Sequence, residues 1–449
     1  MFRDRAFLRK LLFLAFPLTL QNLMLALVAA GDALMLGKLH QNAMAAVSLA
    51  SQIQFVQNTL LGGIAAGMGV LGAQYWGKGD KQILGRLLGL GVTQATAVSI
   101  LFFLGCYFLP EALMRLFAGD AELIALGADY LRVAAWSYLL TGVSQCYLAI
   151  LRVSGHATHS AWISATTVVL NIVLNAIFIF GLAGAPALGV KGAALATVLA
   201  RLVELSWCLL SSLRPNYIRL KLKALVVFPK FLFFDFWKYT LPLLGAFTLW
   251  GTGFTTYTAI LGHLGPDAAA ANAIAAVIRD LLCCMASGFA MASGIVIGNE
   301  LGAGHLETGR LYGDRMVRLS FLMGLICTAC SLACIPLVNH FLPLTDTARH
   351  YTAGMLVILS IYMIGRTVCT VVINGIFDAG GDTMFDIVSL VIFMWCFALP
   401  CAFLGAFVLH LPVLAVYACT CLDEVGKVPW VILHHRKYRW VKNITREGA

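Results

Sequence analysis

Long apolar blocks alternate with short polar connectors from one end of the chain to the other. A helix needs about 20 apolar residues to cross the hydrocarbon core of a bilayer. On that scale the blocks predict twelve spans, at roughly 11–36, 43–74, 86–109, 125–151, 160–181, 189–212, 236–262, 268–299, 312–337, 351–377, 386–408 and 412–433. Alternation of period two is absent, and lipid supplies no water for unpaired backbone groups, so the spans are helices.

The blocks also repeat. Sliding the chain by 225 positions without a gap puts LGKLHQNAMAAVSLASQI (36–53) on LGHLGPDAAAANAIAAVI (261–278). The same register carries GGIAAGMG onto SGFAMASG and GKGD onto GAGH. One register held across a span, a loop and a second span predicts a duplicated unit of six spans with equal orientation. The expected fold is an all-α polytopic membrane protein, with twelve transmembrane helices in two pseudo-symmetric six-helix lobes about an axis along the membrane normal, a transporter plan. The boundaries read as an N-lobe at 1–212 (spans 1–6), a basic cytoplasmic connector at 213–235, a C-lobe at 236–433 (spans 7–12) and a basic cytoplasmic tail at 434–449.

Composition agrees. Of 449 residues, 60% are hydrophobic and only 12% charged, against about 25% charged in soluble domains. The ten excess positive charges lie mainly in connectors and not in basic stripes on folded elements, which excludes a nucleic-acid partner. With the N-terminus inside, the outer loops hold just Lys38, Arg115, Lys191 and Arg349, so both termini are expected in the cytoplasm. MFRDRAFLRK and the apolar stretch after it mimic a signal peptide, with Ala29 and Ala30 like a cleavage site. The stretch is longer than a usual signal core, and it reads as a retained first span.

Three motifs point elsewhere and are set aside. Cys327, Cys330 and Cys334 have a metal-like spacing but lie, like Cys283 and Cys284, inside apolar runs, where cysteine packs as a small polarizable side chain. GAQYWGKG (72–79) nearly matches a phosphate-binding loop, yet Gly79 stands where a Ser or Thr should hold magnesium, and a membrane helix precedes it. His434 and His435 read as a solvated interfacial pair.

Charge inside a membrane is costly and is by default a functional hypothesis. The candidates are Asp32, Arg201, Glu204, Arg279, Asp280, Arg366 and the Asp423/Glu424/Lys427 cluster. At about 1.5 Å per residue, Asp32, Asn171, Asn175 and Thr197 all fall in the outer half of the first lobe. A carboxylate beside two amides and a hydroxyl can hold a proton or Na+, because these neutral groups stabilise charge without cancelling it. The alternative is helix–helix adhesion, since Asn and Thr bond across membrane helices. In the second lobe, Asp280 and Arg366 lie at depths compatible with an ion pair, or with a substrate contact. Asp423 and Lys427 have the i, i+4 spacing of local neutralisation. Glu204 pairs with Arg201 or snorkels inward. Trp250, Phe254 and Tyr257 form a stripe on span 7, which packing explains unless the repeat places it at a lobe interface. With Tyr138, Asp280 and Arg366 these aromatics are the candidates for a substrate cavity.

The chain resembles the multidrug and toxic compound extrusion (MATE) transporters over nearly its whole length. GDALMLGKL (31–39), GAQYWGKGD (72–80), LRVSGHATHSAW (151–162), NIVLNAIFIFG (171–181), LGVKGAALATVLAR (188–201), ILGHLGPDAAAANAIA (260–275) and DAGGDT (378–383) carry the likeness in order. The resemblance implies a two-lobed antiporter, not an enzyme, that exports amphipathic, often cationic small molecules using inward proton or sodium flow. It implies no cofactor beyond H+ or Na+, and no metal beyond Na+ at Asp32. A multi-pass monomer in the lipid bilayer of a prokaryotic inner membrane is expected. In such proteins a first-span acid works with polar groups of spans 5 and 6, which Asp32, Asn171, Asn175 and Thr197 match. Some members have an acid where Asn175 stands, so a two-acid relay does not carry over. Others have acids near the positions of Trp250 and Arg366. Two rivals are a flippase for lipid-linked precursors, which needs a strongly cationic cavity, and a membrane-embedded enzyme, which needs a catalytic constellation that the spans lack.

Overall fold

The computed structural model describes residues 5–37, 41–341 and 345–446, and the side chains of 5–6, 27–34, 36–37, 41, 183, 222, 339 and 341 lie outside the described residues. Almost all of it is helical, and no strand occurs among the described residues. In chain order the helices are α1 (Arg5–Gly37), α2 (Gln41–Gly77), α3 (Lys81–Phe108), a short α4 (Pro110–Arg115), α5 (Ala121–Val153), α6 (Ala157–Phe180), α7 (Val190–Ser212), α8 (Lys230–Gly262), α9 (Pro266–Gly302) and α10 (Leu306–Phe341). Then come α11 (Asp346–Cys369), α12 (Met384–Leu390), α13 (Leu399–Phe407), α14 (Val413–Thr420), α15 (Leu422–Val425) and α16 (Val428–Arg436). A π-helical segment, Thr370–Phe377, prolongs α11, and a second, Val391–Ala398, joins α12 to α13.

Each predicted span finds a helix or a helical run. Among the described residues, ten helices are long and apolar enough to cross a membrane. The remaining two predicted spans are α8 and the broken series α14–α16. Large apolar side chains such as Phe13, Phe16, Leu101, Phe234 and Leu241 stand exposed on these helices. In water each would forfeit about 25 cal/mol per Å2 of apolar surface, so this surface is one for lipid.

The chain divides into two compact units. The first comprises Leu23–Trp76 and Asp80–Thr240, and the second comprises Leu241–Gly448 with Met1–Asn22 and Gly77–Gly79. Val47, Met114, Tyr130, Leu131, Tyr138 and Ile179 belong to the core of the first. Tyr257, Met355, Leu359, Tyr362, Met394 and Tyr417 belong to that of the second. The beginning of α1 is held within the second unit, where Lys10 Nζ lies 3.2 Å from Glu300 Oε1 and the Phe7 and Tyr312 ring centroids are 4.5 Å apart.

The tail is packed, which corrects the reading of its histidines as solvated. Trp440 is completely buried in the second unit. It fits because Gly313 and Gly380 lack side chains: a Cβ on Gly313 would strike the indole, and one on Gly380 the Trp440 carbonyl. Trp440 Nε1 donates to the His435 carbonyl at 3.3 Å. His435 Nε2 lies 2.9 Å from Asp314 Oδ1, and the Tyr438 hydroxyl donates to the same carboxylate at 3.2 Å. His434 Nε2 lies 2.7 Å from Asp382 Oδ2. Burial holds the His435 imidazole below its ordinary pKa although Asp314 pulls the other way. Burial, with Asp386 and Asp382 nearby, keeps the Asp378 carboxyl well above the usual range.

Removing the indole leaves a large void in a site the two glycines have shaped. Trp440→Ala is expected to cost about 3–5 kcal/mol, read as a lowered thermal unfolding midpoint of the detergent-purified protein. An unchanged midpoint would contradict the docked tail.

Candidate functional site

The sequence places Asn171 and Asn175 one turn apart on α6, with Ser164 and Thr167 on the same face. It places Thr197, Arg201 and Glu204 at i, i+4 and i+7 on α7. The turn between the helices brings the two faces together. Gly181 ends α6 in the left-handed region at φ 71°, and the Leu188 amide donates back to the Phe178 carbonyl at 2.9 Å. Gly192 then lets α7 lie directly against that carbonyl, which any Cβ there would strike. From this close start the helices run side by side, so Asn171 and Thr197 meet.

The hydrogen bonds form a directed chain. Asn175 Nδ2 donates to Asn171 Oδ1 at 3.2 Å, Asn171 Nδ2 donates to Thr197 Oγ1 at 3.3 Å, and the Thr197 hydroxyl donates to the Ala193 carbonyl at 3.1 Å. Further along α7, Arg201 grips Glu204 with Nη1 2.9 Å from Oε2 and 3.1 Å from Oε1. Ser144 of α5 donates to Glu204 Oε1 at 2.6 Å. Glu204 is buried, and three short bonds offset the loss of its hydration. The pairing with Arg201 is the first of the two alternatives the spacing left open.

Both groups line one cavity of about 640 Å3 in the first unit. Its wall includes Gln52, Gln54, Asn58 and Gln145, with Phe55 and Tyr130 as its aromatics. Asn171, Thr197, Arg201 and Glu204 are part of that wall. Asn175 sits behind it, buried against Asn171. The cavity is apolar over most of its surface, with amide, hydroxyl and carboxylate groups and the Arg201–Glu204 ion pair set into its wall. Asp32 falls on α1, but its side chain lies outside the described residues.

Sequence reasoning passed over the amides of α2. Gln57 is fully buried and donates to Ser99 Oγ at 3.3 Å and to the Tyr138 carbonyl at 3.0 Å. Asn58 lines the cavity one residue on. The signal was present, since a mid-span Gln or Asn needs a partner in lipid as much as Asn171 does. Tyr138 itself is corrected: it is wholly buried in the core of the first unit and is not among the residues that line this cavity.

In the second unit, the expected Asp280–Arg366 pair does not form. Asp280 is exposed and pairs with its neighbour Arg279, at 2.9 Å. Arg366 instead reaches Glu424 Oε1 at 2.6 Å. Lys427 Nζ takes the other oxygen of Glu424 at 2.9 Å, so the local neutralisation on the last span is i, i+3 to Glu424 and not i, i+4 to Asp423. Asp423 Oδ1 accepts the Glu424 amide at 2.7 Å. The span-7 aromatics support both arginines: the Arg366 guanidinium lies 5.5 Å from the Trp250 ring and that of Arg279 lies 4.5 Å from the Phe254 ring. Phe254 meets Tyr257 edge-on at 5.8 Å, and Tyr257 is buried in the core. Beside this network, Asn374 in the π-helical segment donates to Asp386 Oδ2 at 3.4 Å.

Long apolar helices in two units, with polar groups gathered along a cavity of about 640 Å3 inside the spans of the first, define a polytopic membrane transporter. The MatE family model matches residues 17–177 and 242–404, and the chain belongs to the MATE family of transporters. It is 23% identical over 438 residues to an uncharacterized transporter, YisQ, of Bacillus subtilis, covering 96% of this chain and 94% of that one. It is 28% identical over 419 residues to a probable multidrug resistance protein, NorM, of Pseudomonas putida, covering 90% and 88%. Among solved structures, a mutant of the Vibrio cholerae MATE transporter VcmN superposes with a TM-score of 0.89 at 19% identity, covering 97% of this chain and 98% of that one.

Glu424 serves two cations from a site almost closed to solvent. Glu424→Gln leaves Arg366 and Lys427 without the carboxylate that bridges them and is expected to destabilise the protein by about 3–5 kcal/mol. Asp280→Asn, at an exposed position, is expected to shift the thermal midpoint little. Equal midpoints for the two variants would refute the buried bridge.

Proposed function

We propose that the protein is a secondary antiporter that exports amphipathic, cationic drugs or metabolites in exchange for inward H+ or Na+. The observation that carries this reading is the chain Asn175–Asn171–Thr197, whose Asn171 and Thr197 line the half-open cavity of the first unit. Amide and hydroxyl oxygens with no net charge suit a proton or a hard monovalent cation, provided that a carboxylate completes the set. Asp32 is that carboxylate in this proposal. Protonation or Na+ binding at Asp32 then favours one conformation of spans 1, 5 and 6, and the substrate the other. Transport follows only if each ligand prefers one state energetically. Relatives named as multidrug resistance proteins support the substrate class.

The proposal takes residues 1–212 and 236–433 as the two lobes of an alternating-access cycle, joined by the connector at 213–235. The excess of Lys and Arg in that connector and in the tail supports placing both termini in the cytoplasm; the proposal further takes the protein as a monomer in a prokaryotic inner membrane. The flippase alternative calls for free cationic charge facing a pyrophosphate. Among the described residues, Arg201 is the arginine on this cavity wall, and it is already engaged by Glu204.

Reconstituted in proteoliposomes with separately imposed sodium and pH gradients, the protein is expected to export substrate with one gradient. Asp32→Asn should abolish gradient-driven efflux while leaving the thermal midpoint nearly unchanged. Asn171→Leu should slow efflux by at least about tenfold, the effect of losing one or two charge-stabilising hydrogen bonds. Full coupled efflux by Asp32→Asn would refute the coupling role.

A further inference from the structure

A second concavity, of about 910 Å3, lies where the start of α3 meets the connector that follows α7. Lys81 and Arg86 line it from the first turns of α3, and Arg219, Lys221 and Lys223 line it from the connector. Among the described residues its wall contains no Asp or Glu. Among the described residues none of the five cations makes an ion pair. Lys81 lies 5.7 Å over the Trp76 ring, and Arg219 donates to the Leu213 carbonyl at 2.7 Å. The nearby Asp80 is committed to capping α3, where it accepts the Ile83 amide at 3.0 Å. Orientation in a membrane asks only that positive charge lie on one side. Five unneutralised cations converging on one concavity repel one another and raise the local concentration of anions.

The surroundings specify the kind of anion. Leu213, Val226 and Val227 stand largely exposed beside these cations, a mixture that suits the headgroup level of a bilayer. A groove of about 500 Å3 runs along the outer face of α7, lined by Leu202, Val203, Trp207 and Leu210, with Arg214 at its connector end. Tyr217 ties the two together. It belongs to the basic wall, its ring stacks on His156 at 4.1 Å, and it meets His159 edge-on at 5.6 Å. His159 in turn lies 6.2 Å from the Trp207 ring and 2.8 Å from Ser211 Oγ on the groove.

We propose that this basic concavity binds the phosphate of an anionic phospholipid whose acyl chain lies in the groove along α7. Lys and Arg recognise a phosphate as fixed charge and as hydrogen-bond acceptor. A free phosphate ion shares that chemistry but has nothing to place against Val203 and Leu210, which is why the lipid is assigned. The site is separate from the cavity that Asn171 and Thr197 line, and the assignment does not depend on the coupling ion or the substrate.

Native mass spectrometry of the full-length protein in mild detergent, titrated with phosphatidylglycerol, phosphatidylcholine or inorganic phosphate, tests this. One phosphatidylglycerol per chain is expected to be retained in preference to phosphatidylcholine. The variant Arg86→Gln/Lys221→Gln/Lys223→Gln should lose about fivefold in affinity per charge removed, on the order of a hundredfold in all. Val203→Ser/Leu210→Ser should weaken lipid retention and leave any competition by phosphate unchanged. Equal retention of the two lipids overturns the proposal, as does undiminished phosphatidylglycerol binding by the charge variant. Phosphate that displaces the lipid at equal concentration, with the groove variant unaffected, identifies a free-ion site and also overturns it. Should the charge variant fail to fold, the competition among the three probes on the unaltered protein decides alone.

Discussion

Inside a bilayer a polar side chain has no water to fall back on, so it must find a partner within the protein. That constraint organises this structure. Backbone groups satisfy one another within the helices, and the side chains then fix which helices can be neighbours. Ser144 and Glu204 join α5 to α7, Asn171 and Thr197 join α6 to α7, and Arg366 and Glu424 join α11 to α15. Apolar contact adds packing but little direction, because lipid chains compete with it on equal terms.

The two units meet the constraint in different ways. In the first, neutral amides and hydroxyls link into a chain beside an open cavity, and among the described residues the Arg201–Glu204 ion pair on that wall is nearly self-contained. In the second, charged groups close on one another: Glu424 is shared by Arg366 and Lys427, and the aromatics of α8 cover the guanidinium groups of Arg366 and Arg279. A neutral polar lining can accept a visiting cation without first breaking a bond of its own to a counter-charge. A closed salt bridge cannot. The asymmetry agrees with placing ion coupling in the first unit, and it follows from residue identity rather than from the shared helical plan.

Much of the fold was legible because membrane spans are written in length and composition, and those survive any detail of packing. The repeat supplied the two-part architecture. The Asn171–Asn175–Thr197 group was legible for a local reason: i, i+4 spacing sets one face of α6, and a short glycine-bounded turn forces that face onto α7. Arg201–Glu204 was legible by the same periodicity. The partner of Arg366 was not. Depth along the membrane normal brackets which residues can meet, but it carries no azimuth, and Asp280 turned out to point elsewhere. Glu424 was harder still, since its span is broken into three short helices and a uniform rise misplaces it. His434 and His435 were read as solvated because the tail around them is basic, whereas Asp382 and Asp314, which receive them, and the glycines that receive Trp440 lie far away in the chain.

Because Glu424 holds two cations at once, positions 366, 424 and 427 behave as a single heritable character. A carboxylate at 366 would remove one of the two cations on Glu424 and add a second buried negative charge near it, unless 424 changed in the same step. Single substitutions along that path pass through a strongly destabilised intermediate. Drift at these three sites should therefore be slow and concerted, and an engineer who wishes to alter the polarity of this unit must redesign all three together.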